Sequence, residues 1–442
     1  MKYDIIVIGG GPGGYIAAIR AAQLGAKVAL IEKDKVGGTC LNRGCIPTKA
    51  IIACTNLYEK IKKADSFGIK VTQPVIDLRA VIDRKNRIVQ KITKGVEFLL
   101  GKNQVEVIYG SGEVLEPGKV EVTISDNSRK LLVVSYKLIL ATGSSPASLP
   151  GIEFDGQKFL CSDDMLDYDL VPERLDIVGG GVIGIHFAQI YSALGTEVTI
   201  YEALPEILPG IDQEVINLVK RILKRHKVNI LTNTRFEPVK SSGKTLISIG
   251  RSPNTQGLEN LKLKMEGNSV WVNDKMETSV KNIYAVGDLV SHKMLAHVAY
   301  EQGMIAAENA LGARKTFSYE SIPFGIYTHP EIGSVGLTEE EARSKYKNIK
   351  IGKFPFAALG IAQAMGEIEG FIKVISDEKG RLLGVHILGP EATNLIGAAT
   401  IALKNGLKAD QLAGTFQAHP SYPEGLQEAA LALLGRGIHS IS

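Results

Sequence analysis

The 442-residue chain carries 51 basic and 47 acidic residues, a formal net charge of +4, and 45% hydrophobic residues. This length predicts about three domains, each able to bury a core of its own. The charge is too small and too dispersed to favour nucleic acid, and no apolar run is long enough to span a bilayer. Four cysteines and a first strand that begins almost at Met1 predict a cytoplasmic protein without a leader segment.

The N-terminal residues follow the pattern of a dinucleotide-binding unit. Residues 5–8 form an apolar strand, a Gly-x-Gly-x-x-Gly turn and a helix follow, and the next strand ends at Glu32. Such glycines allow a tight turn and a close approach of the backbone to a pyrophosphate, while the acid accepts a hydrogen bond from a ribose hydroxyl. A single copy of this pattern is weak evidence.

The same pattern occurs a second time, 170 residues later, with strand, turn, helix and acid in register. The repeated positions are Gly9, Gly11, Gly14 and Glu32, and then Gly179, Gly181, Gly184 and Glu202. Two copies in register predict that the chain binds two dinucleotides. Because a carboxylate at Glu202 repels a 2′-phosphate, and no arginine lies between Thr196 and Asp212, NAD is favoured over NADP at the second copy.

The remaining sequence predicts an α/β fold with two Rossmann-like dinucleotide-binding domains and a C-terminal α+β domain. A helix is expected over residues 81–100, β-rich sequence over 105–134, and a hairpin formed by 371–376 and 382–388. The predicted domains are a first nucleotide domain in two segments, 1–144 and 271–318, a second one at 145–270, and a third domain at 319–442.

A cysteine pair, Cys40 and Cys45, follows the first copy of the dinucleotide-binding pattern, which we call the first fingerprint. On an ideal helix these Cα atoms would be about 8.6 Å apart, too far for a disulfide, so Gly44 and Pro47 are expected to distort the segment. A thiol at a helix N-terminus near Lys49 should be acidic. Two structural cysteines or the first ligands of an iron–sulfur cluster are alternatives, but no cysteine follows two residues after Cys45.

With these pieces in order, the sequence resembles the flavoprotein disulfide reductases, and among them the dihydrolipoamide dehydrogenases. The motifs that carry the resemblance are Ala141-Thr142-Gly143, Gly287-Asp288, Leu295-Ala296-His297, Gly250-Arg251-Ser252-Pro253-Asn254, Tyr327-Thr328-His329-Pro330-Glu331 and Ala418-His419-Pro420. The resemblance implies FAD on the first fingerprint, NAD on the second and dimerisation through the third domain. It assigns FAD contacts to Lys49, Thr142, Gly143, Asp288, Ala296 and His297, beside the first fingerprint, and an NAD contact to Gly250.

His419 and Glu424 form a second chemical pair. From the residues alone, Glu424 could simply complement the dipole of the helix predicted after Pro423. The resemblance implies instead that His419 is the acid/base for a substrate dithiol and that Glu424 orients it. It further implies oxidation of protein-bound dihydrolipoamide through a Cys40–Cys45 disulfide, with a lipoyl domain of a 2-oxo acid dehydrogenase complex or glycine cleavage system as partner. No metal is expected.

Other functions are also consistent with the sequence. Mercuric and thioredoxin reductases resemble the chain but carry further C-terminal redox residues, whereas no cysteine follows Cys161. A glutathione-reductase-like enzyme would normally prefer NADP, and a flavoprotein subunit that has lost catalysis is a further alternative.

Three departures from the family pattern stand out. His186 occupies the place of a glutamate that neighbours the lysine matched by Lys49, Gln417 replaces the first histidine of His-x-His-Pro, and a β-meander before Gly250 is missing. The second nucleotide domain is therefore predicted to be shortened, and its affinity for NAD becomes a separate question.

Overall fold

The computed structural model describes residues 1–126, 128–241, 243–290 and 293–439. Its strands are β1 (Lys2–Ile8), β2 (Val28–Glu32), β3 (Glu106–Glu116), β4 (Lys119–Ile124), β5 (Lys130–Leu140), β6 (Ser144–Pro146), β7 (Phe159–Leu160), β8 (Arg174–Val178), β9 (Glu197–Tyr201), β10 (Asn229–Leu231), β11 (Lys244–Ile247), β12 (Arg251–Pro253), β13 (Met265–Glu266), β14 (Ser269–Val270), β15 (Ile283–Ala285), β16 (Phe324–Ile326), β17 (Glu331–Gly336), β18 (Ile349–Pro355), β19 (Phe371–Asp377) and β20 (Leu382–Gly389).

Helices alternate with the strands in the first two thirds of the chain and gather at the end of the last third. They are α1 (Pro12–Gln23), α2 (Gly38–Arg43), α3 (Cys45–Lys62), α4 (Leu78–Lys102), α5 (Ser162–Asp167), α6 (Val182–Ala193), α7 (Gln213–Arg225), α8 (Ala296–Ala310), α9 (Glu339–Lys345), α10 (Gly360–Met365), α11 (Ala392–Lys404), α12 (Ala409–Ala413) and α13 (Glu424–Leu433). The predicted helix over 81–100 is confirmed as part of α4.

The first sheet is a parallel sheet extended by an antiparallel meander. Strand β1 lies between β2 and β5 in parallel, and the late strand β15 joins the far side of β5, where Ile283 faces Leu138. The two long strands β3 and β5 continue beyond the parallel part and are joined there by β4. Because β15 comes from after residue 280, the first sheet combines two segments of the chain.

The second sheet has five parallel strands in the order β10-β9-β8-β11-β7. Its last strand along the chain, β11, ends at Ile247, and the short stretch between β10 and β11 has no strand in its described residues. Leu258, Leu261 and Val270 pack with the core of the first sheet. We therefore propose that the second domain ends near residue 250, earlier than the predicted boundary at 270.

The third sheet is antiparallel, in the order β16-β17-β20-β19-β18. The predicted hairpin is confirmed as β19 and β20, with Ile372 opposite Ile387. Helices α11 and α13 pack on this sheet around Val335, Val385 and Ala429. The predicted α/β class with a C-terminal α+β domain is confirmed.

A buried lysine joins the second and third domains. Lys373 on β19 is 1% exposed, and its Nζ lies 3.0 Å from Asp212, 2.9 Å from Glu214 and 2.6 Å from Glu339. Asp212 begins α7, and Glu339 lies at the start of α9. A buried charge is tolerated only when it is well paired, so this cluster fixes how the two domains meet.

Candidate active site

The two glycine turns have nearly the same geometry. Gly9 and Gly179 adopt φ values of +101° and +103°, which non-glycine residues rarely adopt. A Cβ on Gly14 would lie 1.8 Å from the oxygen of Gly9, and a Cβ on Gly184 would lie 2.1 Å from that of Gly179. These glycines are therefore required for the helix to approach the strand.

The middle glycine of each turn has a different role. A Cβ on Gly181 would meet no atom within 4 Å, and one on Gly11 would meet only the Cα of Gly38 at 3.8 Å. Nothing in the chain itself requires a glycine at these places. The open space at a helix N-terminus fits a pyrophosphate, which a side chain there would displace.

The acids that end the two fingerprints are held in the same way. Glu32 accepts hydrogen bonds from the backbone amides of Gly10 (2.7 Å) and Asp34 (2.8 Å). Glu202 accepts them from Gly180 and Leu204, both at 2.7 Å. Each carboxylate is thus fixed beside its turn, where a ribose would lie.

One cavity of about 1460 Å³ joins the two turns. The predicted site residues that line it are Gly9, Gly11, Glu32, Cys40, Cys45, Lys49, Thr142, Gly143, Gly179, Gly181, Glu202, Gly250, Asp288 and Ala296. His297 does not line it, since the Nε2 of that exposed side chain lies 2.9 Å from the carbonyl oxygen of Pro323. Its predicted flavin contact has no support from this position.

The cysteine segment is broken between the two thiols, as helix geometry requires. Cys40 lies in α2 and Cys45 begins α3, with Gly44 between the helices at φ −141° and ψ −107°. A Cβ on Gly44 would lie 2.9 Å from the oxygen of Thr39. Both cysteines are free, and their thiols form a hydrogen bond with each other.

The two thiols differ in acidity. The hydrogen bond from Cys40 lowers the pKa of Cys45 below that of an ordinary thiol; burial opposes this shift and the Lys49 charge adds to it. The pKa of Cys40 is raised by the same hydrogen bond and by burial. The negative charge of the reduced pair therefore resides on Cys45, next to Lys49.

His186 lies where the sequence placed it, beside Lys49. The side chain is buried, and its Nε2 accepts a hydrogen bond from the backbone amide of Tyr327 at 3.0 Å. Burial, and to a lesser extent the charge of Lys49, holds the pKa of His186 well below its usual value. The imidazole is therefore neutral.

Sequence reasoning missed the residues that hold Asp288. The hydroxyl of Ser144 donates to Asp288 at 2.5 Å, and Arg251 Nε donates to that hydroxyl at 2.7 Å. Ser144 follows Gly143 and Arg251 follows Gly250, so both adjoin motifs that the sequence did reveal. The tyrosines Tyr15 and Tyr300 were also missed; their rings are 6.2 Å apart. Burial and the Tyr15 hydroxyl raise the pKa of Tyr300, with a smaller contribution from the nearby cysteine pair.

His419 and Glu424 form a pair outside this cavity. His419 Nδ1 lies 2.8 Å from Glu424, whose other oxygen accepts from the amide of Ser421 at 2.7 Å. Burial favours the neutral acid, but these hydrogen bonds lower the pKa of Glu424 overall. An ionised carboxylate only accepts, so Nδ1 carries the proton and Nε2 remains basic. The His419 side chain is 79% exposed.

Neither a membrane-spanning helix nor a metal-binding cluster is found in the described parts of the chain. They contain no helix long and apolar enough to cross a membrane. Nor do they bring three His, Cys, Asp or Glu side chains together as a metal site would.

Comparison with known families agrees with this geometry. Residues 3–303 match the family of pyridine nucleotide-disulphide oxidoreductases, and residues 322–430 match the dimerisation domain of the same family. The chain belongs to this family, which confirms the resemblance drawn from its motifs. It is an oxidoreductase that uses FAD and NAD.

Individual relatives resemble the chain over its whole length. A dihydrolipoyl dehydrogenase of Thermus scotoductus is 41% identical over 465 aligned positions, covering 100% of this chain and 99% of the relative. One from Bacillus subtilis is 38% identical over 470, covering 99% of each. Both alignments are longer than the chain, so each contains positions that the chain lacks.

Solved structures resemble the fold equally well. LpdA of Mycobacterium tuberculosis has a TM-score of 0.89 at 28% identity, with 97% of this chain and 99% of that one covered. The flavoprotein disulfide reductase RclA of Escherichia coli has a TM-score of 0.87 at 27% identity, with 97% of this chain and 99% of that one covered.

Proposed function

We propose that the protein oxidises protein-bound dihydrolipoyl groups and passes the electrons to NAD. The observation that carries this proposal is that the thiols of Cys40 and Cys45 lie together in the cavity that both dinucleotide turns line. A dithiol placed there can exchange with a substrate dithiol on one side and with a bound redox cofactor on the other. The names of the relatives support the choice of substrate.

The exchange begins with the Cys40–Cys45 disulfide. His419 Nε2 takes a proton from one substrate thiol, whose thiolate attacks Cys40, and the bond between the cysteines breaks to leave Cys45 as thiolate. The second substrate sulfur then attacks the first and breaks its bond to Cys40. His419 gives the proton it holds to the Cys40 sulfur and takes the proton of the second substrate thiol, and a cyclic substrate disulfide is released. The substrate loses two electrons and two protons, and the cysteine pair gains both electrons.

Lys49 is suited to hold the negative charge that this exchange creates. Its pKa is lowered by burial, while the nearby cysteines favour the charged form. FAD in the first turn and NAD in the second supply the two-electron chemistry that reoxidises the cysteines. Asp288, which accepts a hydrogen bond from Ser144, would accept hydrogen bonds from the flavin side chain.

We further propose that a homodimer completes the site. His419 is not among the residues lining the cavity of its own chain, yet the exchange needs a base beside Cys40. A two-fold dimer through the third domain can bring His419 of one protomer to the cysteines of the other. The lipoyl domain of a 2-oxo acid dehydrogenase complex or of the glycine cleavage system is the proposed partner, and the cytoplasm the proposed location.

A visible spectrum and a coupled assay test the proposal. The purified protein should show a flavin band, and dihydrolipoamide should then produce a long-wavelength thiolate-to-flavin absorption and reduce NAD. The matched control is Cys54→Ser, which alters a thiol bonded to the carbonyl of Ala50 and should retain turnover. Faster turnover with glutathione disulfide and NADPH than with dihydrolipoamide and NAD would favour a glutathione-reductase-like enzyme instead.

A further inference from the structure

In the second domain, the segment after β10 brings an arginine to the end of the NAD site. The backbone amide of Asn233 donates to the carbonyl of Leu204 at 3.0 Å, and that of Thr234 donates to Glu202 at 2.9 Å. These bonds hold the segment after β10 against residues 202–204, which follow β9. The next residue, Arg235, therefore lines the same cavity as Glu202.

The Arg235 guanidinium is available for a ligand. The side chain is exposed, and it forms no ion pair or hydrogen bond with any residue that the structure describes. Glu202 does not pair with this guanidinium, since both oxygens of the Glu202 carboxylate accept hydrogen bonds from backbone amides. A planar guanidinium with five donors matches the oxygens of a phosphate.

Neighbouring aromatic rings indicate which part of the dinucleotide lies here. Tyr201 and Phe236 both line the cavity and pack edge to face, with ring centroids 5.3 Å apart. An adenine packs well on such a surface. Arg235 and Glu202 flank these rings along the chain, so both face the adenosine end rather than the nicotinamide.

We propose that Arg235 binds a phosphate on the adenosine 2′-hydroxyl, so that the site accepts NADP as a second, weaker cofactor. This inference rests on the proposed use of NAD at the second turn and refines its specificity. Glu202 alone would repel a 2′-phosphate, whereas a cation at Arg235 offsets that repulsion without weakening the contact of Glu202 with a free ribose. Arg235 lies outside the stretch from Thr196 to Asp212, in which the sequence carries no arginine.

Calorimetric titration of the flavin-loaded protein with ADP-ribose and with its 2′-phosphate tests the proposal without turnover. We expect Arg235→Ala to weaken binding of the 2′-phosphate tenfold or more and binding of ADP-ribose less than twofold. Arg235→Lys should recover part of the loss. Arg221→Ala, an exposed arginine of α7 outside the cavity, is the matched control and should change neither affinity.

Three outcomes would overturn the inference. Equal weakening of both ligands by Arg235→Ala would mean that the guanidinium stacks on the adenine, and no weakening of either would place it outside the site. Failure of the wild-type protein to bind ADP-ribose at all would overturn the NAD site itself. If instead dihydrolipoamide oxidation with NAD persists while Arg235→Ala leaves the 2′-phosphate affinity unchanged, only the role of Arg235 fails.

Discussion

The imidazole of His186 accepts the backbone amide of Tyr327 at 3.0 Å, and both residues adjoin Lys49, whose Nζ lies 4.8 Å from the Tyr327 ring centroid. The hydrogen bond requires an unprotonated Nε2, which agrees with the lowered pKa of His186. Among the described residues, Lys49 forms no ion pair with a carboxylate. The nearby cysteine pair favours its charged form, and negative charge on a reduced flavin would do the same.

Replacement of His186 by glutamate should lower the reduction potential of the bound flavin. A carboxylate at this place would pair with Lys49 and reduce the positive field that favours negative charge on reduced flavin. We expect a fall on the order of tens of millivolts, where 30 mV corresponds to about 1.4 kcal/mol for a two-electron couple. Spectroelectrochemical titration measures it.

His186→Gln is the matched control for that change. Glutamine is neutral and can still accept a hydrogen bond from the Tyr327 amide, so the reduction potential of the flavin should stay close to that of the wild type. An unchanged potential in His186→Glu, with the thermal midpoint preserved, would show that this position does not act on the flavin.

The thiolate of Cys45 should persist to lower pH than an ordinary thiolate. Its pKa is lowered by the hydrogen bond from Cys40 and by Lys49, so the long-wavelength absorption of the reduced enzyme should disappear only as the pH falls through that lowered value. In Lys49→Gln the pKa should rise and the band should disappear at higher pH. Absorbance titration of the two-electron-reduced protein, prepared with one equivalent of dihydrolipoamide so that the flavin stays oxidised, measures both.

Two cysteine variants serve as controls for that titration. Cys45→Ser should abolish the band and lipoamide turnover while leaving FAD bound. Cys54→Ser should change neither, because Cys54 is not among the residues that line the cavity. Wild-type lipoamide activity in Cys45→Ser would contradict the redox-pair hypothesis.

The features predicted correctly from the sequence are those that depend on local geometry. The tight turn at Gly9 and Gly14 follows from one strand-turn-helix unit, and the break at Gly44 follows from the distance that a helix imposes between Cys40 and Cys45. Arg235 could not be found this way, because only the pairing of its segment with residues 202–204 brings it to Glu202. The packing of Leu258 under the first sheet is likewise a tertiary effect.

Two glycines of the second turn should respond differently to alanine. A Cβ on Gly184 would lie 2.1 Å from the Gly179 oxygen, so Gly184→Ala should destabilise the domain by about 2 kcal/mol or more. Gly181→Ala meets no protein atom and should fold normally, yet its methyl group would crowd the pyrophosphate. We expect an NAD dissociation constant raised about tenfold. Thermal unfolding and calorimetry separate the two, and unchanged NAD affinity in Gly181→Ala would contradict this placement.

Despite Arg235, NAD should remain the preferred cofactor. Glu202 is fixed by two amides and can accept from a free ribose, so kcat/KM for NAD should exceed that for NADP more than tenfold, or about 1.4 kcal/mol. Glu202→Gln should reduce the ratio of the two kcat/KM values, mainly by raising kcat/KM for NADP. Equal kcat/KM values for the two cofactors in the wild type would contradict the role of Glu202.

The last prediction concerns the two halves of the active site, which lie in different domains. If His419 acts on the cysteines of the other protomer, Cys45→Ser and His419→Gln should each be nearly inactive alone. A hybrid dimer of the two has one site with both lesions and one with neither. Random pairing after joint refolding makes about half of the dimers hybrids, so roughly a quarter of wild-type activity should return. Hybrids that are detected by native mass spectrometry yet remain as inactive as their parents would place His419 within its own chain, or outside the reaction.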